Sequence, residues 1–398
     1  MKIYYLMNGH DRVLAFSHER SVLGDSYKIL SIDAPGQLPI DFRGEGLDLD
    51  AVLSDWVERR TLPVNRHHLD AILGAINLTN RFDVLCYSHG LSLNDTFWVQ
   101  EETEVLNFDD INLYDNPFDE ALGWIAFTGL PSNISRNLST PELTTEGVLP
   151  KYWQRINTRD ILLCKGGTEG YSNAGLEPFA ETIAYLVGKR IEFPTIPYHL
   201  ERRNKKPVSV SHLFTSKEYG LLPASRYFAY KAPYIRNMSL PLAIDYMTKD
   251  LRDIKPFYDM CFFDYIIENS DRHLNNWGFT VDNKTQRLSG FAPIWDNGMS
   301  LDYERPKDVS SKIDFASFNI KYDFVKTCVY QEDYMSRCHK LIHAINDGSL
   351  GKECSIAVQG FERYEKRVIP SLEFIKNRCE QYLSEAAPTV LSPDPFKI

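Results

Sequence analysis

The stretch most able to do chemistry is Asn269-Ser-Asp271-Arg-His273-Leu-Asn275-Asn276-Trp-Gly278-Phe279. Asp271 and Asn276 lie five apart, and Pro293-Ile-Trp295-Asp296-Asn297-Gly298 follows about twenty residues on. Singly, Asp, Asn and Gly serve turns. As an ordered set after an apolar run they suit phosphoryl transfer. That reaction needs one acid side chain to hold the attacking hydroxyl. It also needs a second carboxylate and an amide oxygen to hold Mg²⁺, a hard cation that prefers oxygen ligands. Asp271 suits the first role; Asn276 with Asp296 suits the second.

A second set lies upstream. Lys165 ends the apolar run Asp160-Ile-Leu-Leu-Cys-Lys165, and Gly166-Gly167 follows. Glu177 and Glu181 open the next helix, four apart and on one face. A lysine that grips the α- and β-phosphates of a nucleotide needs a carboxylate to fix its long side chain, and either glutamate can supply it. A third and weaker set is Thr144-Thr145-Glu146-Gly147 with Lys151, a turn whose backbone N–H groups could face phosphates. His273 reads as a loop-holding hydrogen-bond partner, and His67-His68 as solvent-facing. There is no His-Glu-x-x-His metal spacing and no G-x-S-x-G elbow. Asp115, Asp119 and Glu120 lack the spacing of a calcium loop and read as a solvated acidic turn.

These residues need elements to position them. Residues 1–34 alternate in short apolar stretches broken at Asn8-Gly9 and near Gly24-Asp25, which predicts strands and tight turns. Two helices follow. Asp50–Arg60 turns Val52, Leu53, Trp56 and Val57 to one face; the next has Asn65 as N-cap and buries Leu69, Ile72, Leu73 and Ile76. Residues 107–121 are acidic and turn-rich, and residues 131–147 form a Ser/Thr/Pro/Asn-rich loop. The spacing of Phe179, Ile183, Leu186 and Val187 predicts a helix over 178–188, with Gly188 as its stop. Strands and connectors follow residue 194, and helices begin near 240. Over 256–268 the apolar positions Tyr258, Cys261, Phe262, Tyr265 and Ile266 keep helical spacing. Residues 352–385 read as helix interrupted at Pro370. A strand-rich half followed by a helix-rich half predicts an α+β fold rather than a doubly wound sheet.

Composition bounds the function. The chain has 398 residues, 43% hydrophobic and 25% charged, which is enough apolar material for more than one core. The 44 basic and 54 acidic residues give a net charge of −10, so no general surface for nucleic-acid backbones is expected. Phosphate recognition must come from a few placed groups. The seven scattered cysteines form no Cys-x-x-Cys pair, which argues against disulfides and structural zinc and suggests reduced thiols in a cytoplasm. No signal peptide or membrane-length apolar run is apparent.

At these residues the sequence resembles the HipA-like serine/threonine kinases, a protein-kinase-like family that includes bacterial toxin–antitoxin kinases. The resemblance is carried by Asn269-x-Asp271-x-His273-x-x-Asn276 and Pro293-x-Trp295-Asp296. It extends to Lys165-Gly166-Gly167, Glu177-Pro-Phe-Ala-Glu181 and Lys206-Pro-Val-Ser209, and so spans most of 140–300. It implies a bilobal kinase domain over 126–398, with a strand-rich N-lobe to about 230 and a helical C-lobe, behind an accessory α+β module over 1–125. It implies Asp271 as catalytic aspartate, Asn276 and Asp296 as Mg²⁺ ligands, and Lys165 on the ATP phosphates. Glu181 is then the preferred partner of Lys165, with Glu177 in reserve; Thr145 and Gly147 would belong to the nucleotide loop. The implied reaction moves the γ-phosphate of ATP to a Ser or Thr of a protein, with self-modification at Thr144, Thr145 or a Ser of the 131–140 loop as one form. An antitoxin or regulatory protein is the implied partner, and no membrane is involved.

Two features depart from that family. Asn275 stands where toxin members usually carry a lysine, and Asp271-Arg272-His273 is also similar to the D-R-H of phosphoinositide kinases. The phrases GLSLNDTFW and DINLYDNPFDE look like those of other HipA-domain proteins rather than the toxin's own N-terminal domain. The rival readings are a nucleotide-binding pseudokinase, a lipid kinase and a metal-dependent phosphohydrolase.

Overall fold

The computed structural model describes residues 2–22, 24–44, 46–62, 66–78, 80–133, 140–145, 147–157, 160–168, 174–235, 238–301 and 323–386. Asn65 and Glu146, named above as a cap and a loop residue, and two serines of the 131–140 loop, Ser135 and Ser139, lie outside the described residues. The chain forms two compact units, each built from three segments. The first comprises Met1–Lys165, His212–Arg236 and Phe279–Ser289; the second comprises Gly166–Ser211, Asn237–Gly278 and Gly290–Ile398.

In the first unit the alternating N-terminal residues form β1 (Lys2–Asn8), β2 (Asp11–Ser21) and β3 (Gly24–Ile32). β4 (Phe97–Glu101) completes an antiparallel sheet of order β3-β2-β1-β4. Helices α1 (Leu49–Arg59), α2 (Leu69–Ile76) and α3 (Arg81–Ser88) follow the first three strands; a short α4 (Phe108–Ile111) and α5 (Glu120–Thr128) come after β4. α1 starts where Asp48 accepts from the Asp50 and Ala51 N–H groups, and Asp50 in turn accepts from Ile29 N of β3 at 2.8 Å. One face of the sheet buries Tyr4, Leu6, Leu14 and Phe16 against Leu53, Trp56, Val57 and Phe82. In α2 only Ile72 and Ile76 are buried, while Leu69 and Leu73 are half-buried. The acidic turn has structural duties: Asp119 caps α5 through Leu122 N, and Asp115 pairs with Lys217 at 2.7 Å.

The two compact units do not divide at residue 125. A second cluster packs Leu143 with Leu62, Ile72, Val84, Leu122 and Ile125. A fully buried ion pair, Arg66 Nη2 to Glu142 Oε2 at 2.8 Å, also ties the 140s to the helices before them. The first unit therefore keeps β5 (Lys151–Arg155) and most of β6 (Ile161–Gly166), an antiparallel hairpin in which Lys151 faces Lys165. It also holds α7 (Ala224–Lys231) and most of a three-stranded sheet of β9 (Tyr219–Pro223), β10 (Gly278–Asp282) and β11 (Leu288–Phe291).

The second unit opens with α6 (Glu177–Arg190) and the hairpin of β7 (Tyr198–Arg203) and β8 (Lys206–His212). Gly188 does not stop α6. It sits inside the helix because a side chain there would lie 2.5 Å from Thr195 Cγ2, so the glycine serves close packing. The remaining helices are α8 (Leu240–Asp250), α9 (Lys255–Ile267), α10 (Asp323–Lys326), α11 (Gln331–Asn346), α12 (Ser349–Ala357), α13 (Glu362–Glu365) and α14 (Val368–Glu385). Pro370 does not interrupt helix either. It lies in the first turn of α14, where backbone N–H groups have no intrahelical acceptor to lose. α9 is buried on every side, with Phe262 stacked on Tyr334 of α11 at 4.3 Å and edge-on to Tyr382 of α14. All seven cysteines are free thiols. Among the described residues no helix is long and apolar enough to cross a membrane.

Candidate active site

The site is built at the end of α9. The helix stops at Glu268, whose left-handed backbone (φ 54°) turns the chain out while its N–H and that of Asn269 both reach Asp264 O. Short-range bonds then shape the loop. Asp271 N donates to Asn269 Oδ1 at 3.2 Å, His273 N to Asp271 O at 2.9 Å, and Asn276 N to His273 O at 2.8 Å. His273 holds the loop as the sequence suggested, its Nδ1 accepting from Asn275 N at 3.2 Å. Asp271 is exposed. Asn276 is buried, and its Nδ2 donates to Asp271 O at 2.8 Å. That bond fixes the amide: Nδ2 is committed, and among the described residues Oδ1 accepts no hydrogen bond.

Asp296 arrives from β11 on the adjoining strand of backbone. It is half-buried and holds a left-handed conformation, φ 57°, which aspartate tolerates better than most residues. Ser270 N donates to Met299 O at 3.2 Å and Leu301 N to Ile267 O at 2.9 Å, so residues 267–270 and 299–301 run side by side. Asn269 Nδ2 reaches Asp296 O at 3.4 Å. Asp271, Asn276 and Asp296, named from sequence spacing, are thus brought together in one unit.

The residue that joins them was not singled out by sequence. Arg272 is fully buried, and each of its five N–H groups has an acceptor. Nε and Nη2 form a fork on Asp264 at 3.0 and 2.9 Å. Nη1 donates to Asn276 O at 2.7 Å and to Trp295 O, and Nη2 also donates to Asn297 Oδ1 at 2.5 Å. Burial pushes the Asp264 carboxyl up from the usual carboxylate range, against the pull of the Arg272 guanidinium. One sequence signal was available: Asp264 is a carboxylate among Met260, Cys261, Phe262, Phe263, Tyr265 and Ile266, which no apolar helix buries without a partner.

The glutamates of α6 lie in the same unit. Glu177 is buried; its Oε1 accepts from Thr168 N at 3.2 Å and from the Thr168 hydroxyl, while among the described residues Oε2 has no hydrogen-bond partner. Two glycines let the chain close on it. A Cβ at Gly167 would stand 2.8 Å from Glu177 Oε2, and one at Gly298 would stand 3.1 Å from Glu177 Cβ. The Asp296-Asn297-Gly298 turn therefore packs on the start of α6. Glu181, one turn on and equally buried, accepts a hydrogen bond from Ser209 Oγ of β8.

The remaining candidates belong to the first unit. Lys165 is buried on β6. Thr145 donates to Pro141 O at 2.7 Å and accepts from Trp153 Nε1 at 2.9 Å; Thr144 is buried and donates to Leu91 O at 2.8 Å. Gly147 has φ 100°, and a side chain there would strike Lys151 Nζ. A recess of about 80 Å³ also lies in this unit, among Asp41, Arg59, Arg60, Asp95 and Arg226. Its charges pair with each other, Arg59 and Arg226 on Asp41 and Arg60 on Asp95; Thr144 lines it, but Asp271, Asn276, Asp296, Lys165, Glu177, Glu181, Thr145 and Gly147 do not.

The donor set fits Mg²⁺. Among the described residues no three His, Cys, Asp or Glu side chains gather into a metal cluster. Mg²⁺ needs no such cage: one or two protein oxygens suffice when nucleotide phosphates and water supply the rest. Asn276 Oδ1 and the Asp296 carboxylate are such oxygens.

No family model and no curated protein matches the sequence. Among solved structures, a Helicobacter pylori proinflammatory kinase, CtkA, aligns at TM-score 0.44 and 19% identity, over 60% of this chain and 88% of its own. The Shewanella oneidensis MR-1 toxin HipA, solved with HipB and operator DNA, aligns at TM-score 0.63 and 13% identity, over 96% of this chain and 98% of its own. Over nearly its whole length, then, the chain has the α+β, kinase-like fold of HipA.

Proposed function

We propose that the protein is an ATP- and Mg²⁺-dependent kinase that phosphorylates a Ser or Thr hydroxyl of a protein. The observation that carries this reading is the fixed amide of Asn276, with Oδ1 unengaged among the described residues, in one bonded framework with Asp271 and Asp296. Asp271, exposed at the loop, holds the acceptor hydroxyl and takes its proton as the oxygen attacks. Asn276 and Asp296 hold Mg²⁺, which when bound neutralises charge on the phosphates. Lys165 is assigned to the α- and β-phosphates, and Glu181, which accepts from Ser209, to the binding of the nucleotide. Glu177 steadies the loop around Thr168.

The acceptor is assigned to another protein or to serines of the 131–140 loop. Thr144 and Thr145 would first have to give up the bonds that hold their hydroxyls. A HipB-like regulatory protein is the proposed partner, by analogy with the complex of the Shewanella toxin, and the cytoplasm the proposed location. Incubation with ATP and Mg²⁺, followed by intact-mass measurement of the chain and of lysate proteins, tests the activity. A gain of one phosphate that Asp271→Asn abolishes is expected. No gain on the chain or on any lysate protein refutes it.

A further inference from the structure

We infer that Arg272 is the positioning residue of the proposed metal site. Its guanidinium fixes the Asn276 and Asp296 loops relative to one another. The inference rests on the reading of Asn276 and Asp296 as cation ligands. Arg272 is inaccessible to solvent, so any effect it has on a bound ion passes through other residues. Its contacts fall where such an effect would arise. It holds the backbone carbonyl of Asn276, and it brackets Asp296 on both sides through Trp295 O and Asn297 Oδ1. Asp264 anchors the other edge of the fork to α9, a helix buried along most of its length.

The arrangement is specific to arginine. Five donors in one plane meet acceptors from three stretches of chain; a lysine ammonium offers three donors from a point and cannot span them. Stability alone does not account for the pair, because an apolar pair of similar volume generally does as well in a protein interior. The apolar pair would lack the bonds that set the two loops in register. Groups that orient metal ligands from behind typically govern affinity by 10–100-fold.

The test measures Mn²⁺ binding in the presence of ADP by electron paramagnetic resonance, on the full chain. Asp296→Asn reports on the metal site itself, and at least a tenfold loss of Mn²⁺ affinity is expected. The double variant Asp264→Leu/Arg272→Met removes the fork without stranding a buried charge. It is expected to melt near the wild-type temperature yet bind Mn²⁺ about tenfold more weakly, with an altered spectrum. Arg272→Lys keeps a cation beside Asp264 and should lose less affinity; if the double variant does not fold, this variant decides. Wild-type Mn²⁺ affinity in the double variant or in Arg272→Lys, with Asp296→Asn impaired, overturns the positioning role alone. Undiminished binding by Asp296→Asn overturns the metal-site reading, and the inference falls with it.

Discussion

Replacing Glu142 by leucine should destabilise the first unit far more than loss of a surface ion pair. The Arg66 and Glu142 side chains are 0% and 1% exposed. Glu142 Oε2 accepts from Arg66 Nη2 at 2.8 Å and Oε1 from Trp153 N at 2.7 Å. At 2.8 Å and an effective dielectric of about 20, the attraction is about 6 kcal/mol, which is of the order of the desolvation cost of two buried ions. The pair is therefore near break-even, but either half alone is not. Glu142→Leu leaves a buried guanidinium whose Nε and Nη1 already lack partners among the described residues, where Lys151 O alone remains to bond it. The expected loss is about 3–5 kcal/mol. Arg66→Met/Glu142→Leu should recover most of it, giving a coupling energy of about 3 kcal/mol in a double-mutant cycle. Urea unfolding at pH 8, followed by tryptophan fluorescence with Trp153 beside the site, measures each corner. A single-variant loss below about 1 kcal/mol, or a double variant no more stable than the single, refutes the reasoning.

The same carboxylate gives a pH dependence. Burial pushes Glu142 from 4.5 up to about 7, so the folded chain holds this proton more firmly than the unfolded chain. Its contribution to stability is full below the ordinary glutamate range and is lost as pH rises through about 7; Glu142→Gln should flatten that part of the unfolding profile. Two glycine-to-alanine changes in helices should act in opposite senses. Gly188→Ala meets Thr195 at 2.5 Å and should cost about 1–3 kcal/mol, whereas Gly74→Ala in α2 meets nothing within 4 Å and should stabilise by about 0.5–1 kcal/mol, both read by thermal melts. Burial pushes the thiols of Cys86 and Cys328 up to about 11 and that of Cys354 to about 12. A thiol reagent at pH 7.5 should label the native chain slowly and all seven cysteines after denaturation; rapid native labelling of Cys86 or Cys328 would contradict this.

Features set by neighbours in sequence were legible before the structure. The alternation of residues 2–32 gave β1 to β3, and the apolar spacing around Tyr258 and Cys261 gave α9. The loop from Asn269 to Asn276 was readable because its bonds span two to five residues. Features set by distant packing were not. Gly188 resembles a helix stop until Thr195 is seen against it. Pro370 resembles a break until the helix is seen to start just before it. β4 finds its place only by pairing with β1, about ninety residues earlier. The Arg66–Glu142 pair was not legible, because nothing near residue 142 announces a partner at 66. In the site, the three proposed ligand and base positions followed from spacing, while Arg272 looked like one charge of a triplet. Its role depends on five acceptors scattered over thirty-odd residues.

The segmented path of the chain has a consequence for biosynthesis. Two of the first unit's three segments, His212–Arg236 and Phe279–Ser289, are interleaved with the second. A nascent chain lacks the last strands of the β9–β10–β11 sheet until residue 291 has left the ribosome, although its first 165 residues emerged long before. The Asp271 loop is made immediately before β10 and the Asp296 turn immediately after β11. Asp271 and Asn276 must therefore wait, half-built, while another unit receives its final hairpin, and Asp296 joins them only afterwards. A chain that stalls or is cut before that hairpin carries Asp271 and Asn276 but not Asp296. By this order of assembly, an incomplete copy of the protein lacks part of the proposed site.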